Sequence, residues 1–489
     1  MAHIACVFSV EIYGTAERPL LNWRNIPYGL SLIAACLEAA GHQVRCWVVC
    51  PASDLNALAA EMIYDFGCDC VAATAVTTQI PVINEFLGVV KKLDPDMFTV
   101  VGGTHPSLNP RDTIAHHAVD AVCVGEGEKP MLRVVAALDT GERPSRIPGM
   151  WFKHAGSLEL DCTPPMPYEI DIDDLPFTNL HHWERWVSES DRNFRVVIGR
   201  GCPYGCTYCS NHALKKVTTG KYVRVRSPQN VVAEIRQLAD AFPDIKMLHL
   251  EIETIGAVPG YATKLCAELA EFNAQRPVPI SFHANLAVTS RLAQNADETR
   301  QLLSAFHKAN LCHINIGLES GSERIRKEIL NRPEYTNDDL IKFCRAAKEH
   351  GILVSLFVLM GLPTETVKDF LATARIARAC QPNALSESIF FPYPGTKLSD
   401  LSVAMHLFDP SAISQQGERT HAFLRLKGFP RWRIRFEYAF VTWRVFHGRW
   451  SALELTKRMA FKALSGSPRL LSSAIQIWSS VMKPLVTPK

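Results

Sequence analysis

At 489 residues the chain exceeds what one hydrophobic core organises, and a prior of about 150 residues per domain predicts two or three domains. A content of 47% hydrophobic and 21% charged residues excludes a disordered chain. No run of 18 or more apolar residues offers a membrane-spanning helix; the longest candidate, "ILVSLFVLMGL" at 352–362, reads as a buried strand.

The N-terminus, "MAHIACVFSVEIYG", lacks a basic region followed by a long apolar core, so it reads as a first strand and not as a signal peptide. The protein is expected to stay in the cytoplasm. Fifteen cysteines are an odd count spread through apolar segments (Cys36, Cys123, Cys266, Cys312, Cys344), which suits reduced thiols in an intracellular protein better than a disulfide framework.

From residue 1 to about 145, short apolar runs ("HIACVFS", "VRCWVV", "CVAATAV", "FTVVGG", "AVCVGEGE") alternate with helix-length stretches such as "GLSLIAACLEAAG" and "INEFLGVVKKL". Strands without polar alternation between helices predict a parallel, doubly wound α/β sheet covered on both faces. Ligands of such sheets bind at the carboxyl ends of the strands, here "TAVTT" (74–78), "GGTHP" (102–106) and "GEGE" (125–128). Residues 146–190 include the acidic, proline-rich "CTPPMPYEIDIDDLPFTNL" and read as an interdomain connection. From 191 to 400 the alternation resumes, with strands near "RVVIG", "MLHLEIE", "ISFHANLAV", "CHINIGLES", "LVSLFVLMG" and "ALSESIFFPY". Six βα units are too few for an eight-fold barrel and predict a partial one.

The loop after "RVVIG" carries "GRGCPYGCTYCSN" (199–211), with thiols at Cys202, Cys206 and Cys209. Three cysteines at this spacing converge on one metal centre, but a closed zinc site requires a fourth protein ligand, for which His212 is the best local candidate. The other reading is a cubane cluster with one iron left open.

A CxxxCxxC loop with an aromatic before its third cysteine resembles the signature of the radical S-adenosylmethionine (SAM) superfamily, and "GLESGSERI" (317–325), "MGLPTET" (360–366) and "FPYPGT" (391–396) resemble its barrel in the same order. The resemblance implies that Cys202, Cys206 and Cys209 hold a [4Fe-4S] cluster, that SAM chelates the open iron, and that reductive cleavage of SAM yields a hydrogen-abstracting radical. It places Tyr208 near the adenine, Glu251 or Glu253 at the SAM amino group, and Glu319 and Ser320 near its ribose and carboxylate. The competing readings are packing for Tyr208, solvated carboxylates for the first two glutamates, and a helix cap for Ser320 or Ser322.

A doubly wound domain ahead of such a barrel is similar to the cobalamin-binding class of this superfamily, through "IPYGLSLIAACLEAAGHQV", "VVGGTHPS" and "VDAVCVGEGE". By that resemblance cobalamin sits on Thr74, Thr77, Thr78, Gly102, Gly103, Gly125 and Glu126; the competing reading is plain sheet turns. The DxHxxG motif that places a histidine on cobalt is absent, and the first loop, 9–29, holds no histidine. The resemblance implies a cobalamin-dependent methyltransferase acting on an unactivated carbon of a small or lipid-like metabolite, served by a low-potential electron donor such as flavodoxin or ferredoxin. Alternatives are a radical cyclase or rearrangement enzyme similar to the anaerobic magnesium-protoporphyrin ester cyclase, and a cobalamin or redox sensor without turnover. A methylthiotransferase would need three further cysteines in the first domain, which Cys68 and Cys70 do not supply.

The net charge of +3 hides an asymmetry, because residues 421–489 hold 13 Lys+Arg against 2 Asp+Glu, leaving 39 against 47 in the first 420. Within 401–489, a helical C-terminal region, "FPRWRIRFEYAFVTWRVFHGRW" (429–450) interleaves arginines with aromatics. It reads either as a cap on the barrel or as a helix lying on a membrane surface. With the rest of the chain acidic and no RNA-binding module evident, nucleic acid is not an expected partner.

Overall fold

The computed structural model describes all residues except 12, 155–158, 189–192, 411–417 and 466–489. The chain divides into two compact units, one of Met1–Pro203, Ser210–Glu253 and Phe272–Ser281, the other of Tyr204–Cys209, Thr254–Glu271 and Phe282–Lys489.

The first unit is built on a seven-stranded sheet: β1 (His3–Ser9), β2 (Gln43–Val49), β3 (Cys70–Thr74), β4 (Phe98–Gly102), β5 (Ala121–Cys123), β6 (Met150–Lys153) and β7 (Leu160–Cys162), in the order β2-β1-β3-β4-β5-β6-β7. The five apolar runs of the first 123 residues form its parallel part. Ile4, Ala5, Cys6 and Val7 of β1 are all fully buried, the condition under which a strand loses its polar alternation. Helix Tyr28–Ala39 packs on Glu128–Asp139, and Leu55–Ala60 on Ile80–Leu93, so two separate helix pairs cover the sheet. Because β2 and β3 flank β1 on opposite sides, the winding reverses there, which opens a crevice at the carboxyl ends of the strands.

The sheet runs past residue 145. β6 and β7 add antiparallel to its edge, and in β6 burial alternates as a half-covered strand requires. Later in this stretch Trp183 and Trp186 are buried, with indole N–H groups donating to Ser31 Oγ (3.0 Å) and the Cys46 carbonyl (2.8 Å).

All six strands expected between 191 and 400 form. In the first unit, β8 (Asn193–Val197) pairs in parallel with β11 (Met247–Glu251), while the short β9 (Gly199–Arg200) and β10 (Arg224–Val225) pair antiparallel. β12 (Ser281–Asn285), β13 (Leu311–Glu319), β14 (Leu353–Met360) and β15 (Ala384–Ile389) run parallel, from Phe282 onward within the second unit. Two of the helices between these four begin at reciprocal capping boxes, Thr336 with Asp339 and Thr366 with Asp369. Among the described residues no helix is long and apolar enough to cross a membrane.

Candidate cofactor cavity and cysteine site

In the first unit a cavity of about 450 Å³ opens at the carboxyl ends of β3, β4 and β5. Of the residues assigned to cobalamin, Thr74, Gly102, Gly103, Gly125 and Glu126 line it; Thr77 and Thr78 are buried outside it, Thr77 with its hydroxyl 3.2 Å from His105 Nδ1. His105, the histidine of "GGTHP", turns its other ring nitrogen to Asp112. Gly103 has φ +108°, and a Cβ there would lie 2.7 Å from Thr74 Oγ1 and 2.8 Å from the Ala75 carbonyl, so only glycine permits this cradle.

One wall is an ion-pair network that sequence reading did not assemble. Arg200, two residues before Cys202, reaches Glu126 at 3.0 Å and also grips Glu128; Arg224 donates to Glu126 at 3.1 Å and to the Ile170 carbonyl at 3.1 Å. Burial works against the charge on Glu126, but the Arg224 hydrogen bond and the Arg200 charge outweigh it and hold the carboxyl below its ordinary value. Antiparallel pairing sets Arg200 opposite Arg224, although 24 residues of sequence separate them. Glu128 lines the same cavity, is 4% exposed, and its Oε2 has no hydrogen-bond partner. A buried acceptor left this way costs free energy until a donor reaches it. "GEGE" contains this residue, but the sequence singled out only Gly125 and Glu126 of that run.

The cavity is lined also by Arg200, Gly201, Ser210, Asn211 and Glu253, which flank the cysteine loop or face it. Burial raises the Glu253 carboxyl, offset in part by bonds from Gly201 N–H and the Asn211 side chain. Glu251 instead ends β11 in an ion pair with Arg195 at 3.3 Å. The two glutamates, placed on one face by strand alternation, part because β11 ends at Glu251. Gly201 takes φ +82°, and a Cβ there would strike the Tyr222 carbonyl, which explains the glycine before the first cysteine.

In the second unit Cys206, Tyr208 and Glu319 come together around Arg332, a residue without a sequence signal. Arg332 Nη2 donates to the Gly317 carbonyl at 2.7 Å, and Nη1 lies 3.3 Å from the Tyr208 hydroxyl and 3.7 Å from Cys206 Sγ. Burial raises the Cys206 thiol, and the guanidinium opposes it by favouring thiolate. Glu319 is buried at φ +58°, where the register of β13 on β14 shifts; burial pushes its carboxyl up against the pull of Arg332 and Tyr208. A carboxylate residue held in the left-handed region at a bulge is a mark of a functional position. A Cβ on Gly317 would meet Glu319 Oε1 at 2.6 Å and Arg332 Nη2 at 2.9 Å, so the glycine of "GLES" makes their room. Ser320, fully buried, accepts from Ser322 N–H at 3.2 Å and lies 3.4 Å from Thr373 Oγ1, the geometry of a local turn.

All fifteen cysteines stand as thiols. Among the described residues no three His, Cys, Asp or Glu side chains are gathered tightly enough to grip a single ion; a cubane, with irons at its corners, spans more widely spaced thiolates. By residue chemistry alone, three thiolate donors at 202, 206 and 209 suit an iron–sulfur cluster, and the glycine cradle with its unanswered Glu128 oxygen fits a large amide-bearing ligand such as cobalamin.

Two family models match the chain, the Radical SAM superfamily over residues 196–377 and the B12 binding domain over residues 24–135, and with the relatives below they mark a radical SAM enzyme related to cobalamin-dependent methyltransferases and to the anaerobic cyclase. The chain is 28% identical over 398 residues to the anaerobic magnesium-protoporphyrin IX monomethyl ester cyclase of Rubrivivax gelatinosus, covering 79% of this chain and 68% of the cyclase. It is 26% identical over 404 residues to an uncharacterized methyltransferase of Pyrococcus horikoshii, covering 80% and 82%. Its fold matches the radical SAM methyltransferase TsrM from Kitasatospora setae, solved with cobalamin and a [4Fe-4S] cluster bound, at a TM-score of 0.69 and 16% identity, over 98% of this chain and all of that one.

Proposed function

We propose that this chain is a cobalamin-dependent methyltransferase that alkylates an unactivated carbon of a small or lipid-like molecule. The observation that carries the reading is the shared wall: one cavity is lined both by the glycine loops of the first sheet and by Arg200, Gly201, Ser210 and Asn211 around the cysteine loop. A corrin held there would be lined by residues that flank the cysteine loop in sequence. When bound, the cluster, SAM and cobalamin supply one-electron and methyl-transfer chemistry. The chain's part is to hold and orient. Glu128 offers an acceptor to an amide N–H, Glu253 accepts an ammonium, Arg332 favours the thiolate of Cys206, and the apolar lining by Leu30, Leu32, Ile33 and Val100 keeps water out. The larger share of the methyltransferase relative's length supports this reading over the cyclase.

The test is an anaerobic reconstitution with iron, sulfide, hydroxocobalamin, a reductant and SAM as the only methyl source, following 5′-deoxyadenosine and S-adenosylhomocysteine over several turnovers with candidate substrates. Both products are expected together. Deoxyadenosine without S-adenosylhomocysteine would reject methyl transfer and favour the cyclase, whose relative is the more identical in sequence; neither product would favour a sensor.

A further inference from the structure

The helix Arg431–Phe446 uses one aromatic-rich sequence for two faces. Its inner face is core: Ile434, Val441, Val445 and Phe446 are buried, and the fully buried Glu437 is held by Arg433 at 2.8 Å and Arg444 at 2.7 Å. This is the capping role. The outer face departs from that role, with Trp432 68% and Phe436 45% exposed. Phe440 stacks on Phe436 with centroids 5.4 Å apart, and Trp443 follows at 6.1 Å from Phe440. Positions 432, 436, 440 and 443 recur at helical spacing and form one stripe roughly 16 Å long.

Charge accompanies the stripe. Arg431 and Arg435 are exposed beside it, while the helix's one acid, Glu437, is buried on the other face and neutralised. The outer face thus presents aromatics and guanidinium groups with no carboxylate, in the part of the chain where 13 basic residues stand against 2 acidic ones.

We infer that this face is a docking surface for an anionic lipid bilayer, with the helix lying flat, Trp432 and Phe436 seated at the level of the acyl boundary and Arg431 and Arg435 among the phosphates. A large aromatic exposed beside arginine is the composition of interfacial helices, and each basic residue near an anionic surface adds attraction that salt removes. A single-stranded nucleic acid fits less well, because base stacking needs open ring faces. Here the faces of Phe436 and Phe440 are taken by each other and by the guanidinium groups of Arg433 and Arg444, at 5.1 and 5.3 Å. The inference is independent of the reaction catalysed.

Sedimentation of the full-length protein with vesicles of phosphatidylcholine containing phosphatidylglycerol tests it. Binding to the mixed vesicles is expected, with none to phosphatidylcholine alone and loss at high salt. The double variant Trp432→Ser, Phe436→Ser should partition about 10-fold less, and Arg435→Glu should fall several-fold, with circular dichroism and iron content unchanged because these side chains are exposed. Wild-type protein that stays in the supernatant, or variants that bind as well as wild type, would overturn it. So would a finding that the double variant abolishes oligouridylate binding or a concentration-dependent dimer while vesicle binding persists.

Discussion

The Arg200–Arg224 wall of the first unit and two carboxyl groups of the second, Glu319 and Glu365, are buried in opposite ways. In the first, Glu126 and Glu128 are answered by Arg200 and Arg224, and Glu126 stays ionised below its ordinary value. In the second, Glu319 leans on a phenol and a shared guanidinium, and Glu365 of "MGLPTET" accepts only peptide N–H groups, from Gly361 at 2.7 Å and Leu362 at 3.1 Å. Burial pushes Glu319 up and Glu365 up to about 8. Counter-charge keeps Glu126 ionised before any ligand arrives and leaves only one Glu128 oxygen unanswered; carboxyls without counter-charge sit nearer their neutral form and respond to what comes next to them.

The strongest way to separate the regions is Cys206→Ala. Iron content and 5′-deoxyadenosine release should fall to background, since a cubane left with two protein thiolates is not retained. Cobalamin binding by the first unit, read from its visible spectrum after gel filtration, should survive. Co-loss of both would mean that the regions are one site.

Next in size is a pair of arginine substitutions read by denaturant unfolding of the apoprotein. Arg224→Met leaves Glu126 buried with half its counter-charge and should cost about 3–5 kcal/mol. Arg332→Met removes donors from a peptide carbonyl and a phenol and should cost about 1–3 kcal/mol. Equal costs would erase the distinction between a compensated wall and a responsive site.

The smallest effect concerns Glu365. Its folded value lies above its ordinary one near 4.5, so folding takes up a proton; its contribution to stability is fully present below pH 4.5 and is lost as pH rises through about 8. Glu365→Gln should flatten that decline, raising the unfolding midpoint at pH 9 while leaving it little changed at pH 4.5. A variant whose midpoint falls in parallel with wild type from pH 4.5 to 9 would show that the carboxyl does not titrate in that window.

Much of this architecture was legible because it is local. Strands buried on both faces announce themselves as unbroken apolar runs, and the cysteine spacing lies within one loop. Gly103 and Gly201 could be flagged from sequence as permissive positions, though what a side chain would strike there could not. The edge strands β6 and β7 were missed because three or four residues of alternation beside prolines look like connection.

What the sequence by itself determined is the succession of strands and helices along the chain and the class of the metal donors, because each follows from short-range periodicity and residue chemistry. What only the tertiary structure decided is which charges meet. Arg200 faces Arg224 through an antiparallel pair, Glu128 keeps one oxygen unanswered, Arg332 reaches Cys206 across 126 residues of chain, and Trp432 is left on the outside of its helix. These depend on long-range packing, where a side chain's partner is set by the fold and not by its neighbours in sequence.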